Sequence, residues 1–137
     1  MNVDADVISR ILLATDRWGA SDVFICVGKP PAARVNGAVV PVDMPPTTHA
    51  DMQAFLDRFM PPDVQARLRA RGDADAGLTV GPRQRFRFNF ASQQGALSFV
   101  ARAIPDGNVD LERLGLPPAV GNLAATTRGL ILVTGAT

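Results

Sequence analysis

The sequence predicts an α+β fold in which an antiparallel sheet is flanked by helices. Three observations carry this. Residues 83–104 hold a strictly alternating apolar–polar run and a second, looser alternating run, joined by Gln93-Gln94-Gly95, the pattern of a β-hairpin with one apolar face. Asn36-Gly37 stands between two further strand-like runs, and both central residues of such a tight turn must accept positive φ. Apolar residues recur at helical spacing in two stretches, one near the N-terminus and one over 52–60, as in helices that bury one stripe.

Taken in order, Val3, Val7, Ile8, Ile11 and Leu12 predict a helix over residues ~3–17, with Asp4 and Asp6 near its positive end. Gly19 is its expected stop, and Trp18 is expected in the core or as a lid over the helix end. Residues 22–27 are apolar on both faces and predict a central strand, with Cys26 as a small core residue. The Asn36-Gly37 hairpin follows, and Pro41 marks its second strand as an edge. Thr48 with Asp51 resembles a capping box. It opens a helix whose stripe is Met52, Phe55, Leu56, Phe59 and Met60. A short helix over 63–70 turns Val64 and Leu68 inward and Arg67, Arg69 and Arg71 outward. His49 has no second histidine or cysteine nearby, so no metal is expected there. Residues 75–80 predict a weak strand leading into the 83–104 hairpin. Residues 110–127 predict a linker with short helical pieces. Leu130, Ile131, Leu132 and Val133 predict a buried-type strand that runs into Gly135.

Composition sets bounds. A chain of 137 residues that is 47% apolar and 20% charged can build one domain with a real core. Net charge is +1, so anion binding must be local, and a nucleic-acid surface is disfavoured. Cys26 is the single cysteine. No internal disulfide can form, which fits a reducing, cytoplasmic setting. The N-terminal residues show no signal-peptide pattern, and no apolar run reaches the length of a membrane span; no direct membrane insertion is expected.

The hairpin carries the candidate chemistry. With Gln93 and Gln94 as the loop, Phe88 faces Phe99, Phe90 faces Leu97 and Phe86 faces Ala101. On the other face Arg85 lands opposite Arg102, with Arg87 one pleat along. Like charges opposed in a sheet repel. Three guanidiniums on one face are therefore either a site for an anion, held by rigid Arg forks, or are paired with the chain's own carboxylates. The phenylalanines take the opposite face, so Arg and Phe cannot together form a stacking platform for single-stranded nucleic acid.

An ordered set of short motifs spans nearly the whole chain: Ala20-Ser21-Asp22; Gly28-x-Pro30-Pro31-x-x-Arg34-x-Asn36-Gly37; Arg85-Phe86-Arg87-x-Asn89; Gln93-x-Gly95; Arg102-x-Ile104-Pro105; Leu114-Gly115-Leu116-Pro117; and Arg128-Gly129-Leu130-x-Leu132-Val133-Thr134-Gly135-x-Thr137. In this order they resemble the N-terminal domain of PilT/PilU-like ATPases, the type IV pilus retraction branch of the secretion-ATPase superfamily. Related pilus assembly and secretion ATPases share much of the pattern. The departures are Gln94 where the turn commonly carries Arg, and Asp75-Ala76-Gly77-Leu78 where many members have Asp-Phe-Ser-Phe.

The resemblance implies a PAS-like N-terminal domain over 1–105, a linker over 106–128, and over 129–137 the first strand and the start of the P-loop of a RecA-like ATPase domain. Gly135, Ala136 and Thr137 would open that P-loop. Its second glycine, Lys and Ser/Thr are absent, so residues 1–137 alone are expected not to hydrolyse ATP. The whole protein would be a cytoplasmic hexamer using ATP and Mg²⁺ to drive pilus retraction and twitching motility. Its partners would be its own and a neighbouring ATPase domain and the pilus base machinery. Neither nucleotide nor Mg²⁺ is expected bound to residues 1–137 alone. Arg85, Arg87 and Arg102 would approach the nucleotide phosphates. The other reading is a PAS-like ligand-sensing or protein-interaction module, which requires a closed pocket inside the sheet.

Overall fold

The computed structural model describes residues 6–93, 95–105, 111–112 and 114–135. The chain divides into two units, Met1–Asp106 and Gly107–Thr137.

The first unit opens with α1 (Val7–Leu13) and α2 (Thr15–Trp18). Asp6 caps α1 by accepting from Ser9 N at 2.7 Å, and Gly19 closes α2 at φ 61. The single helix expected over ~3–17 is thus two. Thr15 Oγ1 donates back to Leu12 O at 2.7 Å, the local competition by which threonine interrupts a helical ladder. Val3 and Asp4 lie outside the described residues. Trp18 is 36% exposed, not in the core, because it sits on the last residue of α2, just before the chain turns at Gly19.

β1 (Ala20–Cys26), β2 (Ala32–Val35) and β3 (Ala38–Pro41) follow. Asn36 at φ 48 and Gly37 at φ 83 form the tight β2–β3 turn. α3 (His49–Phe59) starts with the expected capping box between Thr48 and Asp51, and α4 (Pro62–Arg71) begins on a proline. β4 (Asp73–Val80), β5 (Gln84–Gln93) and β6 (Ala96–Ile104) complete one antiparallel sheet of order β3-β2-β1-β6-β5-β4. β1 is central and β3, ending on Pro41, is an edge, as the sequence implies.

One face of the sheet is covered and the other is open. Ile8, Ile11 and Leu12 of α1, Met52, Phe55 and Leu56 of α3, and Val64 and Leu68 of α4 join Val23, Ile25, Phe86, Phe88, Phe90, Phe99 and Ala101 in one buried cluster. Phe88 is its hub, with the rings of Phe55, Phe86, Phe90 and Phe99 at 5.2–6.0 Å. Cys26 is half-buried rather than in this core. Strand alternation puts it with Phe24 on the open face, away from Val23 and Ile25.

The β5–β6 register differs from the expected one by two residues. Gln93 pairs with Ala96, so the loop is Gln94-Gly95, and Gly95 supplies φ 79; Gln94 itself lies outside the described residues. Phe90 faces Phe99, Phe88 faces Ala101, Phe86 faces Ala103 and Ser92 faces Leu97. A shift of two preserves every side chain's face.

The β4–β5 turn is locked to α1. Gly81 has φ +70, and a Cβ there would stand 2.7 Å from Leu13 Cδ2. Gly81→Ala combines a left-handed penalty with a clash, and is expected to cost about 1–2 kcal/mol. Urea unfolding with an unchanged slope would measure it.

In the second unit α5 (Pro118–Ala124) is the one helix among the described residues. Residues 130–133, which the resemblance makes the first strand of a RecA-like domain, stand here without the sheet that such a strand joins. These residues have no strand pairing, and Val133 is 96% exposed. A strand exists only beside a partner, and within this unit none of the described residues offers one. Ala136 and Thr137 lie outside the described residues. Among the described residues no helix is long and apolar enough to cross a membrane.

Candidate functional site

The open sheet face carries a row of charge that strand pairing lines up across four strands and that ends against a glycine of the fifth. Arg34 of β2 pairs with Asp22 of β1, Asp22 with Arg102 of β6, Arg102 with Arg87 of β5, and Arg87 with Gly77 of β4. Arg87 and Arg102 are therefore the directly opposed like charges. Arg85 is not opposite Arg102 as the sequence suggested; it faces Ile104, one pleat along, because the loop falls at 94–95 rather than 93–94. All three arginines share the exposed face.

Asp22 organises the row. Its side chain is 5% exposed, and each carboxylate oxygen has its own guanidinium: Arg102 Nε at 2.8 Å on Oδ1 and Arg34 Nε at 3.3 Å on Oδ2. Ser21 Oγ also donates to Oδ2 at 2.8 Å. Burial by itself would push the Asp22 carboxyl up, but the bonds from Arg102 and Ser21 and the charges of Arg102 and Arg34 hold it below the ordinary aspartate value. Arg34 is further fixed by Gly37 O at 3.1 Å and by the Phe24 ring at 5.4 Å. Asp75 stands 3.9 Å from Arg87 Nη2 and accepts from Asn89 Nδ2 at 3.4 Å.

The pairing alternative holds for two of the three arginines. Arg102 and Arg87 are paired with the chain's own acids, yet they stay 71% and 73% exposed. Arg102 spends only Nε on Asp22, so its two terminal amino groups, without a partner among the described residues, form a fork beside Arg87. Such a fork suits the oxygens of a phosphate or carboxylate. Arg87, Arg102, Asn89 and Asp75 line a groove of about 300 Å³. Arg85 has no ion pair among the described residues and lines a different groove, with Asp16 and Gln84. Asp22, Arg34 and Asp75 had no role from sequence reasoning. A lone acid inside a run of strand formers was the signal available for Asp22. Of the expected P-loop start, only Gly135 is described, in an exposed stretch without secondary structure.

No protein-family model matches the chain. The chain is 31% identical over 130 residues to the type IV pilus retraction ATPase PilT of Pseudomonas aeruginosa, covering 95% of this chain and 38% of PilT. It is 31% identical over 119 residues to the type IV pilus ATPase PilU of the same organism, covering 87% of this chain and 31% of PilU. A crystal structure of the pilus retraction motor PilT with bound ADP superposes with a TM-score of 0.76 at 28% identity, over 90% of this chain and 36% of that one. The six-stranded sheet with its helices is the fold of a pilus-motor N-terminal domain. The chain is homologous to the N-terminal region of PilT and PilU, and spans less than two-fifths of their length.

Proposed function

We propose that this chain is the N-terminal, phosphate-reading and subunit-packing part of a cytoplasmic hexameric ATPase that powers type IV pilus retraction and twitching motility. In that assembly it packs on its own and a neighbouring ATPase domain, at the pilus base machinery. The observation that supports this best is the Arg87–Arg102 pair. Two guanidiniums face each other on an open sheet surface, and Asp22 holds one of them by Nε, its fork without a partner among the described residues. The named activities of PilT and PilU, both ATPases, supply the ligand class, a nucleoside triphosphate, which we take to bind with Mg²⁺. The terminal groups of Arg87 and Arg102 would bind and orient phosphate oxygens, and their charge would offset what builds up in phosphoryl transfer. Arg85 is a further candidate from its place one pleat along. The P-loop that would hold the nucleotide is expected to begin at Gly135, Ala136 and Thr137.

Two measurements test this. The coding sequence should continue past Thr137 into Gly-Ser-Gly-Lys-Ser or a close variant. In the complete protein, Arg87→Gln should lower kcat/KM for ATP hydrolysis by about tenfold or more without moving the melting temperature of residues 1–137. Unchanged kinetics would remove the phosphate-reading role.

A PAS-like ligand sensor is the second reading. It needs a cavity within the sheet's covered side. That side is filled instead by the Phe55, Phe86, Phe88, Phe90 and Phe99 rings, which favours the motor-domain reading.

A further inference from the structure

Among the described residues of the first unit, a second positive surface is less neutralised than the arginine row: a groove lined by α1, α2 and the β4–β5 turn. Arg10 of α1, Arg17 of α2 and Arg83 of the β4–β5 turn converge on a groove of about 620 Å³. All three are exposed, and none of their side chains has an ion pair or hydrogen bond among the described residues. In the arginine row, by contrast, Arg34, Arg87 and Arg102 each stand beside a carboxylate. The acid in the groove, Asp16, forms no ion pair with the three arginines: its Oδ2 accepts from the Gln84 amide at 2.7 Å, and its single charge offsets one of their three.

That Asp16–Gln84 bond is also part of the frame. It ties β5 to α2, and the close approach of Gly81 to Leu13 ties the same turn to α1. The three arginines therefore rise from elements fixed to one another, so less freedom is lost when a ligand is gripped. Arg10 and Arg17 each sit in the last turn of a helix, where a cation is favoured. That accounts for one arginine per helix, but not for their meeting Arg83.

From this we infer a second anion site, built by Arg10, Arg17 and Arg83 and separate from the Arg87–Arg102 pair, that takes a phosphate-bearing anion of two or more charges. Guanidinium forks match phosphate oxygens. In a chain of net charge +1 such a concentration of unpaired positive charge draws anions locally, and salt should weaken it.

The test is calorimetric titration of the 137-residue chain with inorganic pyrophosphate at low salt. Saturable binding is expected. It should weaken roughly tenfold or more in the double variant Arg17→Gln/Arg83→Gln and persist in Arg87→Gln, which separates this site from the one proposed above. Because the replaced side chains are exposed and unpartnered, thermal melting should be unchanged. A parallel flotation assay uses phosphatidylglycerol and phosphatidylcholine vesicles. Capture by the anionic vesicles alone, lost in the double variant, supports the site with a lipid headgroup as the phosphate source. Absence of both pyrophosphate and vesicle binding overturns the inference. So does a double variant that binds like the unaltered chain.

Discussion

Replacing Phe88 with alanine is expected to cost about 3–5 kcal/mol of stability, the range for emptying an aromatic site in a packed core. Phe88 is fully buried, and four rings stand within 6.0 Å of its own. Collapse into the vacated space is hindered from two sides. β5 is hydrogen-bonded to β4 and β6 on both edges, and Phe55 projects from α3 onto the same ring. For a domain of about this size the melting temperature should fall by more than about 12 °C. Phe88→Leu, which keeps most of the volume, should recover much of the loss. An alanine variant that melts within a few degrees of the unaltered chain would mean that the aromatic cluster does not carry the core.

Asp22→Ala is the second large effect, expected at about 2–3 kcal/mol at neutral pH. The change removes the acceptor for two guanidiniums and one hydroxyl. It also leaves Arg34, Arg102 and Arg87 in one row with no carboxylate between them. The cost stays below that of breaking a fully buried pair, because the arginines left behind reach water. The pH dependence has a fixed sign. The Asp22 carboxyl is held below its ordinary value of 3.8 in the folded state. Its stabilisation is therefore complete above that value and disappears as pH falls through the lower, folded one. Asp51 is depressed for a separate reason, the side-chain and backbone hydrogen bonds from Thr48, and adds to the same acid limb. Denaturant unfolding from pH 7 down to pH 2 should show a drop that begins near pH 4 and is shallower in Asp22→Ala. Equal slopes in the two proteins would show that Asp22 is not the group responsible.

Much of this architecture was legible from local chemistry. Asn36-Gly37 and the Thr48–Asp51 box each specify a backbone shape through a few neighbouring atoms, and both formed as read. The facing of Phe86, Phe88 and Phe90 followed from alternation alone. What failed depended on information held elsewhere. The hairpin register turned on whether Gly95 belongs to the strand or to the loop, and at φ 79 it belongs to the loop. The 130–133 stretch has the composition of a strand, but composition cannot supply the neighbour that a strand needs. The arginines were found, while Asp22, which holds two of them in place, was not. Its importance comes from cross-strand neighbours 12 and 80 residues away in sequence. The Arg10–Arg17–Arg83 groove was invisible for the same reason, since three elements must fold together before it exists.

The hairpin turn sets where this molecule can vary in length among its descendants. A residue gained between Gln93 and Ala96 can be taken up by the turn itself, as a three-residue loop with a bulge, and leaves Ala101 and Arg102 on their own faces. A residue gained in β6 ahead of Ala101 cannot, because it rolls the rest of the strand over, sending Arg102 towards the phenylalanines and Ala101 into water. Odd changes inside the strands should therefore survive only beside a bulge that cancels them.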